Sequence, residues 1–332
     1  MKRLAIIGGG SWGTALSIAL AGRFESVRLW VYEADLAERI AATRENDVFL
    51  PGFPLPANVS ATSELAAALE DADVVLSVMP SRHVRRVFRE MLPHLAPGMC
   101  FVSATKGIES GTLLRMSQVV REVAGERFAS RVAVLSGPTF AREVARGEPA
   151  AVVVASDDRA LAESVQRAFS GPAFRLYTND DPAGVELGAA LKNVIAIAAG
   201  VCQGLGLGSN TMAALITRGL AEITRLAVAV GSKPLTLAGL AGLGDLVLTC
   251  TGELSRNRYV GIELAKGRTL ADIVGSMRMV AEGVETTSAA MDLAARHGVE
   301  MPITGQVQAV LRDGKPPREA LRELMERTLK GE

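Results

Sequence analysis

Residues 4–21, Leu4-Ala-Ile-Ile-Gly-Gly-Gly-Ser-Trp-Gly-Thr-Ala-Leu-Ser-Ile-Ala-Leu-Ala21, decide the fold of this chain. The apolar run at the start is bounded by glycines, which is typical of a buried parallel strand, and the Ala/Leu-rich end predicts a helix. Between them lies a Gly-x-Gly-x-x-Gly turn formed by Gly8, Gly10 and Gly13. A strand, this turn and a helix, with the acidic Glu33 about 20 positions further on, predict a dinucleotide-binding site.

Each glycine of the turn has a physical role in this prediction. Gly8 permits the tight turn, Gly10 lets the backbone approach a pyrophosphate, and Gly13 lets the helix pack close to the strand. The helix N-terminus offers N–H groups and a favourable dipole to the phosphates. Glu33 is placed to bond a ribose 2′-hydroxyl, which favours NAD over NADP. A solvated strand-end carboxylate fits the sequence equally well, and Tyr32 competes for the adenosine, so the choice between the two cofactors stays open.

Strand-like and helix-like segments alternate through the first half of the chain. The predicted strands, each a short apolar run, are Leu4–Ile7, Val27–Tyr32, Ala72–Val78, Cys100–Ala104, Val132–Leu135, Ala151–Ala155 and Phe174–Thr178. This alternation predicts a parallel, doubly wound (Rossmann-type) α/β domain. Ligands of such sheets bind at the carboxyl ends of the strands, so the residues that follow each strand are candidates for the site.

Beyond residue 180 the sequence becomes Ala/Leu/Gly-rich with helical periodicity, and the turn cluster Asn179-Asp-Asp-Pro182 marks a boundary. We therefore expect two domains. A dinucleotide-binding domain at 1–180 precedes an all-α, substrate-binding and catalytic domain at 181–332. Helices are predicted at 183–200, 210–230, 256–267, 269–276, 283–297, 303–313 and 317–329.

Lys192 stands in the most apolar of these helical segments, with Gly188, Ile195 and Ala196 as its neighbours at helical spacing. A desolvated ammonium is costly, so a lysine in such a helix either extends to the surface or projects into a partly dry cleft. In a cleft it can exchange a proton with a substrate. Spacing alone does not decide between these two interpretations.

Two further candidates follow predicted strands. Lys106 stands beside Gly107 just after one strand, where either a surface lysine or a ligand contact is expected. Ser136-Gly-Pro-Thr139 follows the next strand and offers backbone N–H groups and a hydroxyl. Taken alone, that stretch also fits a turn that merely begins a helix.

The helical half contributes the other candidates. The glycine-dense stretch Ala238–Gly244 leads to Asp245, which is either a helix N-cap or the partner of a catalytic ammonium. Thr249, one helical turn beyond Asp245, is placed to share its face and to contact the substrate. The guanidinium and amide donors of Ser255-Arg-Asn-Arg258 suit a phosphate, although charged runs are commonly solvated faces. Glu282 is either a capping residue or a cofactor contact.

Composition excludes several classes of function. Lysine plus arginine and aspartate plus glutamate number 36 each, and aromatic residues make up 4% of the chain, so nothing indicates nucleic acid or an anionic membrane as a partner. Charges interrupt the apolar tracts, and no membrane-spanning segment is expected. The cysteines, Cys100, Cys202 and Cys250, are widely spaced, which predicts reduced thiols in the cytoplasm. We find no metal-ligand spacing and expect no metal.

Seven motifs taken together resemble the NAD(P)-dependent glycerol-3-phosphate dehydrogenases of the soluble bacterial type. The motifs are Gly8-Gly-Gly-Ser-Trp-Gly-Thr-Ala15, Ala104-Thr-Lys-Gly-Ile-Glu109, Ser136-Gly-Pro-Thr-Phe-Ala141, Gly188-Ala-Ala-Leu-Lys-Asn-Val-Ile195, Gly242-Leu-Gly-Asp-Leu246, Ser255-Arg-Asn257 and Val280-Ala-Glu-Gly283. The dinucleotide turn is shared with many oxidoreductases, whereas the lysine helix, the Gly-Leu-Gly-Asp stretch and the Ser-Arg-Asn stretch are much more specific.

The resemblance implies reversible reduction of dihydroxyacetone phosphate to sn-glycerol 3-phosphate with NAD or NADP, which supplies glycerophospholipid synthesis. It gives Lys192 the proton-transfer role. The implied substrate contacts are Lys106, Gly137, Thr139, Asp245, Ser255, Arg256 and Asn257. The implied cofactor contacts are Ser11, Trp12, Tyr32, Lys106, Ala141, Arg256, Val280 and Glu282. Members are usually cytoplasmic and often dimeric, so we expect a cytoplasmic homodimer that neither binds nucleic acid nor inserts into a membrane.

A mechanism follows as a hypothesis. A hydride reaches the ketone carbon, Lys192 protonates the oxygen, and Lys106 stabilises the same developing charge. Asp245 orients Lys192, while Arg256 and Asn257 hold the phosphate, and the site is expected between the two domains. The alternative enzyme is a β-hydroxyacid-type dehydrogenase whose clamp grips a carboxylate. A nucleotide-sensing protein without turnover is the alternative from a different class.

Overall fold

The computed structural model describes residues 1–277 and 280–328 and forms two compact units. The first unit comprises Met1–Lys106 and Leu114–Glu186. The second comprises Gly107–Leu113 and Leu187–Glu332. The short segment Gly107–Leu113 therefore groups with the second unit, although it follows a strand of the first.

An eight-stranded sheet forms the centre of the first unit, in the order β3-β2-β1-β4-β5-β6-β7-β8. The strands are β1 (Arg3–Ile7), β2 (Ser26–Trp30), β3 (Val59–Thr62), β4 (Val74–Ser77), β5 (Cys100–Ser103), β6 (Val132–Ser136), β7 (Ala150–Ala155) and β8 (Phe174–Asn179). The chain winds outward in both directions from β1 and β4, which confirms the predicted doubly wound class.

Helices cover both faces of this sheet. They are α1 (Ser11–Leu20), α2 (Ala34–Thr43), α3 (Leu65–Leu69), α4 (Val84–Met91), α5 (Met116–Ala124), α6 (Ala141–Ala145) and α7 (Arg159–Phe169), with 3₁₀ turns at Ala21–Arg23, Ser81–His83, Leu92–His94 and Glu126–Arg131. Successive residues of β1 point to opposite faces. Leu4 and Ile6 pack in one apolar cluster, and Ala5 and Ile7 pack in another. A strand buried on both faces explains the continuous apolar run of the sequence.

The sheet departs from the predicted parallel arrangement at one pair of strands. Strands β6 and β7 are antiparallel, with Leu135 opposite Val154, whereas the other neighbouring pairs are parallel. A parallel crossover must carry the chain back to the starting edge, usually through a full helix. The connection after β6 contains only the five-residue helix α6, so the chain re-enters the sheet from the edge at which β6 ends.

The second unit contains helices and no strand among its described residues. Its helices are α8 (Pro182–Gly204, which begins in the first unit), α9 (Ser209–Ala229), α10 (Pro234–Ala238), α11 (Asp245–Thr251), α12 (Arg256–Ala265), α13 (Leu270–Ser276), α14 (Glu282–His297), α15 (Pro302–Arg312) and α16 (Pro317–Met325), with a π-helical turn at Leu240–Gly244. The predicted helix 317–329 ends at Met325, and residue 329 lies outside the described residues. The all-α class of this half is confirmed.

Helix α8 is the central helix of the second unit. Of the described helices it alone is long and apolar enough to span a membrane, but 94% of its most apolar window is buried inside the protein. Leu191 and Ile195 pack in one apolar cluster, and Val194 and Ile197 pack in another. A helix that is apolar on all sides lies either in a protein core or in a membrane. Here the surrounding helices bury it in the core of the second unit.

Glycines allow two backbones to pack directly against α8. A Cβ at Gly188 would lie 2.8 Å from the carbonyl oxygen of Ala241, and one at Gly242 would lie 2.0 Å from that of Leu237. The glycine-dense stretch therefore folds tightly on itself and against α8. On the other side, a Cβ at Gly261 would lie 2.0 Å from the carbonyl oxygen of Ile197. These close approaches bring the starts of α11 and α12 to the helix that carries Lys192.

Candidate active site

The glycine turn has the geometry expected from its sequence. Gly8 has a φ of +128°, and a Cβ there would lie 2.6 Å from the carbonyl oxygen of Val78. A Cβ at Gly13 would lie 1.9 Å from the carbonyl oxygen of Gly8, so α1 packs directly against the turn. In contrast, a Cβ at Gly10 would meet no described protein atom within 4 Å. The first and third glycines are required by the fold, whereas the second leaves the backbone approachable.

The start of α1 fits a dinucleotide pyrophosphate. Gly10 is the N-cap and has no side chain with which to satisfy the first N–H groups of the helix. The Ser11 hydroxyl donates to the carbonyl oxygen of Phe49 at 2.7 Å, and Trp12 is half-buried beside it. The N–H groups and the positive dipole end at the start of this helix, next to an approachable backbone, suit an anionic ligand.

The end of β2 is rich in carboxylates. Tyr32 is 64% exposed, and the exposed Glu33 precedes α2 without capping it. The guanidinium of Arg86 lies 5.5 Å from the centre of the Tyr32 ring and forms an ion pair with Glu90 at 2.8 Å. A recess of about 450 Å³ opens beside Tyr32, and its described lining includes the carboxylates of Glu64 and Glu90 but no lysine or arginine. An anionic ligand in this recess would face the carboxylates of Glu64 and Glu90.

The remaining candidates of the first unit follow its strands. Lys106 is half-buried three residues after β5. Gly137, directly after β6, has a φ of +157°, and a Cβ there would lie 2.9 Å from the Cα of Val152. The half-buried Thr139 donates its hydroxyl to the carbonyl oxygen of Gly137 at 3.2 Å, and Ala141 begins α6. Each therefore lies at the carboxyl end of its strand, where a doubly wound sheet binds its ligands.

The second unit buries a lysine with two oxygen partners. The Nζ of Lys192 donates hydrogen bonds to Oδ1 of Asp245 and, at 2.7 Å, to the hydroxyl of Thr249. The three residues are at most 5% exposed. The Thr249 hydroxyl in turn donates to the backbone carbonyl of Asp245 at 2.6 Å. Lys192 thus does not extend to the surface, and Asp245 is the first residue of α11 rather than its N-cap.

The start of α12 carries the donors expected for a phosphate. Ser255 is the N-cap, and its hydroxyl accepts the backbone N–H of Arg258 at 3.3 Å. Arg256 is an exposed residue. Desolvation by the surrounding protein nevertheless lowers the pKa of its guanidinium, and the nearby carboxylate of Glu282 partly offsets this by raising the pKa. Glu282, half-buried, is the first residue of α14, and the half-buried Val280 precedes it.

Asn257 differs from its neighbours because its amide is engaged with the protein. Its Oδ1 accepts the backbone N–H of Gly283 at 2.9 Å, and its Nδ2 donates to Oδ1 of Asn193 at 3.0 Å. Asn193 was not among the residues expected in the site, although it follows Lys192 directly. The available signal was a second polar residue inside an otherwise apolar helix, where a buried amide requires a partner.

The structure therefore gathers the second-unit candidates into two groups. Lys192, Asp245 and Thr249 form a buried charged cluster. Asn257, Asn193 and Gly283 form a buried amide bridge, which adjoins Arg256 and Glu282 in sequence. The first group offers an ammonium with a counter-charge, and the guanidinium of Arg256 adjoins the second group in sequence. An ammonium suits proton transfer to a ketone oxygen, and a guanidinium suits a phosphate.

Comparisons with known proteins identify the family of this chain. Residues 3–162 match the family model of the NAD-dependent glycerol-3-phosphate dehydrogenase N-terminus, and residues 181–322 match that of the C-terminus. A glycerol-3-phosphate dehydrogenase [NAD(P)+] of Koribacter versatilis is 62% identical over 98% of both chains. One of Geobacter sulfurreducens is 55% identical over 100% of this chain and 99% of the relative.

A solved structure gives the same result. The crystal structure of glycerol-3-phosphate dehydrogenase from Coxiella burnetii aligns with a TM-score of 0.93 at 42% identity, over 98% of this chain and 99% of the other. The family that the sequence motifs resemble is thereby confirmed. The chain belongs to the family of NAD-dependent glycerol-3-phosphate dehydrogenases.

Proposed function

We propose that this chain is an NAD(P)-dependent sn-glycerol-3-phosphate dehydrogenase (EC 1.1.1.94), an oxidoreductase that interconverts dihydroxyacetone phosphate and sn-glycerol 3-phosphate. One observation carries the proposal for the chemistry: the buried ammonium of Lys192 bonded to Asp245 and Thr249. The names of the relatives, which match along nearly the whole chain, support the substrate.

The residues of the glycine turn fit the cofactor. Gly10 leaves the backbone approachable, and the N–H groups and positive dipole end at the start of α1 suit the pyrophosphate. When bound, the reduced nicotinamide supplies the hydride that the ketone carbon accepts. We assign the remaining cofactor contacts to residues at the strand ends and at the starts of α1, α6, α12 and α14. They are Ser11, Trp12, Tyr32, Glu33, Lys106, Ala141, Arg256, Val280 and Glu282.

Lys192 acts as the general acid in the direction of reduction. As the ketone becomes a hydroxyl, its oxygen gains negative charge, and the Nζ of Lys192 donates a proton to it. Asp245 and Thr249 hold Nζ in a fixed position before substrate arrives. Such preorganisation lowers the cost of reorganising the site during the reaction. In the reverse direction the same nitrogen accepts the proton of the alcohol.

Other groups bind the substrate. The guanidinium of Arg256, the Ser255 hydroxyl and the Asn257 amide are proposed to bind the phosphate, whose binding energy positions the reacting carbon. Lys106 is proposed to stabilise the negative charge on the substrate oxygen, and Gly137 and Thr139 to contact the substrate through the backbone and the hydroxyl. Their positions at the carboxyl ends of β5 and β6 support this assignment.

A steady-state assay tests the function. We expect purified chain to oxidise NADH or NADPH in the presence of dihydroxyacetone phosphate, and to reduce the oxidised cofactor in the presence of sn-glycerol 3-phosphate. Carboxylate hydroxyacids should give at least tenfold lower kcat/KM, because a phosphate dianion makes stronger bonds to a guanidinium. Preference for a hydroxyacid would replace this proposal with the β-hydroxyacid-type alternative, and binding of cofactor without any turnover would indicate a sensor.

We propose a cytoplasmic homodimer that supplies glycerophospholipid synthesis. The free, buried thiols of the chain are compatible with a reducing compartment. The second unit exposes apolar side chains, among them Leu235 at 85% and Val247 at 40%, and contact with a second copy would remove such side chains from water. Light scattering of the purified chain tests the assembly, since it distinguishes one chain mass from two.

A further inference from the structure

A buried asparagine of the first unit is bonded to the glycine turn. Asn46 follows α2 in the chain and is 0% exposed. Its Nδ2 donates hydrogen bonds to the carbonyl oxygen of Gly9 at 2.7 Å and to the Thr14 hydroxyl at 2.8 Å. Its Oδ1 accepts the backbone N–H of Phe49 at 3.1 Å. The side-chain amide of Asn46 therefore connects the turn to the segment that follows α2.

Backbone groups determine the orientation of this amide at both of its ends. The carbonyl oxygen of Gly9 can only accept a hydrogen bond, so it must face the nitrogen of Asn46. The N–H of Phe49 can only donate, so it must face the oxygen. Exchanging the two amide atoms would break both bonds, although oxygen and nitrogen have nearly the same shape. The two N–H groups of the amide serve Gly9 and Thr14, so Asn46 acts on the turn from inside the protein.

The bond to Gly9 sets the direction of a backbone N–H in the turn. The peptide bond between Gly9 and Gly10 is trans, so its C=O and its N–H point in opposite directions. Because the buried amide of Asn46 holds the carbonyl oxygen, the N–H of Gly10 points away from Asn46. Gly10 is the position at which the turn leaves the backbone approachable. Asn46 thus orients a donor at the place assigned to the cofactor pyrophosphate.

Two further contacts confine the turn. The Ser11 hydroxyl donates to the carbonyl oxygen of Phe49 at 2.7 Å, so the segment that Asn46 begins is also bonded to the first residue of α1. On another side, a Cβ at Gly9 would lie 2.7 Å from Cγ2 of the buried Val31. The Gly9 peptide therefore lies between a packed side chain and the amide of Asn46, which leaves it little freedom to rotate.

A second asparagine of the same unit makes similar bonds at the opposite end of α1. The Nδ2 of Asn58 donates to the carbonyl oxygens of Ala21 and Phe24 at 2.9 and 3.0 Å. Both acceptors lie beyond the last residue of α1, whereas the glycine turn precedes its first residue. Loss of the Asn58 amide would therefore affect stability without changing the turn, which makes Asn58 the matched control for Asn46.

On the basis of the proposed function, we propose that Asn46 is a positioning residue for the dinucleotide. Its amide holds the peptide between Gly9 and Gly10 in the orientation that presents the Gly10 N–H to the pyrophosphate before the cofactor arrives. A donor that is already oriented binds its ligand more tightly, because less freedom is lost on binding. Asn46 acts on the cofactor alone, so the expected signature is weaker NADH binding with turnover retained at saturating NADH.

The test compares Asn46→Leu with Asn58→Leu. Asn46→Leu is neutral, similar in size and unable to form the three bonds. We expect its Kd for NADH, measured by fluorescence titration without substrate, to rise about tenfold. The KM for NADH should rise equally, while kcat and the KM for dihydroxyacetone phosphate stay within about threefold of wild type. Asn58→Leu should lower the Tm but keep the Kd for NADH within about twofold. Equal increases of Kd in both variants would overturn the inference, as would a wild-type Kd in Asn46→Leu.

Two further variants identify the end of the amide that matters. Asn46→Asp keeps an oxygen for the N–H of Phe49 but turns an oxygen toward the carbonyl of Gly9. Its Kd for NADH should rise at least as much as that of Asn46→Leu, and wild-type affinity would contradict the role of the Gly9 bond. Asn46→Ser, with Asn58→Ser as its control, serves if the larger changes prevent folding, and should raise the Kd less. NADH binding is measured without substrate, so wild-type chain that binds NADH but does not reduce dihydroxyacetone phosphate would contradict the proposed function and not this inference.

Discussion

The ammonium of Lys192 and the carboxylate of Asp245 form a buried ion pair, with side chains that are 6% and 1% exposed. Taking both charges out of water is costly, and their attraction returns that cost only when the geometry is good. Such a pair adds little to stability compared with apolar residues of the same size. Its presence in the core of the helical unit is better explained by chemistry than by folding.

Breaking this pair should destabilise the chain, whereas removing both charges should not. Asp245→Asn leaves the Lys192 ammonium buried without its counter-charge, and we expect a loss of about 3–5 kcal/mol in the free energy of unfolding. Lys192→Met combined with Asp245→Leu should return the stability to about the wild-type value while abolishing turnover. Urea denaturation followed by circular dichroism measures both. A single variant as stable as wild type would show that the pair is not desolvated as described.

Thr249→Val tests the second partner of Lys192. The substitution keeps the shape of the side chain and removes the hydroxyl that accepts a hydrogen bond from Nζ. A hydrogen bond to a charged group contributes about 1.5–3 kcal/mol, so kcat should fall by roughly 10- to 100-fold. Thr251→Val, on the same helix but exposed, is the matched control and should leave kcat unchanged. Equal effects in the two variants would remove Thr249 from the catalytic cluster.

The end of β2 predicts the preferred cofactor. Because carboxylates outnumber cations around Tyr32, and Arg86 is engaged with Glu90, we expect NADH to give a higher kcat/KM than NADPH. Glu33→Arg should raise the ratio of NADPH to NADH efficiency by about tenfold or more, since it replaces a repulsive charge by one that pairs with a 2′-phosphate. Arg39→Glu on the exposed face of α2 is a control for general charge effects. Wild-type preference for NADPH would contradict this assignment.

The three cysteines should be unreactive in the folded chain. Burial raises the pKa of Cys250 to about 12 and that of Cys100 to about 11, and it also raises the pKa of Cys202. Since the thiolate is the reactive form, a disulfide reagent at pH 8 should modify none of them until the chain is unfolded. Rapid reaction of native protein would contradict the buried positions.

The same pKa values determine the sign of a pH effect on stability. An unfolded thiol ionises near pH 8.5, whereas the folded thiols of Cys100 and Cys250 have pKa values of about 11 and about 12. The unfolded state therefore loses protons first, so the thiol contribution is complete below about pH 8.5 and is lost as the pH rises toward 11–12. Comparing the alkaline stability of wild type with that of Cys250→Ala isolates this contribution, which the variant should lack.

The parts of the fold that depend on local sequence patterns could be predicted from the sequence. The strand, glycine turn and helix of residues 4–21 could be predicted because Gly8, Gly10 and Gly13 have the spacing at which a tight turn and close backbone contacts require glycine. The boundary of the helical half was visible from composition. By contrast, β3 was not predicted, since Val59-Ser-Ala-Thr62 is a short edge strand with little apolar character. Helices α10 and α11 were not predicted, because the glycines between them are unfavourable in helices.

Long-range contacts limited the prediction of the site. Lys192 and Asp245 could be predicted as partners because one is a lysine in an apolar helix and the other is a carboxylate that follows a glycine-dense stretch. Their contact is observed. The antiparallel direction of β7 and the bridge from Asn193 to Asn257 had no such signal. The first depends on the short length of α6. The second depends on α8 and α12 meeting at Gly200 and Gly261, a contact between residues about 60 positions apart that no local pattern indicates.

Replacing Lys192 tests the central claim most directly. We expect Lys192→Ala to lower kcat for dihydroxyacetone phosphate by at least about 100-fold, the lower end of the effect of losing a general acid, while NADH binding measured by fluorescence is retained. Lys233→Ala, an exposed lysine of the same unit, should behave as wild type. Turnover of the Lys192→Ala chain within a few-fold of wild type would show that the buried ammonium is not the proton donor.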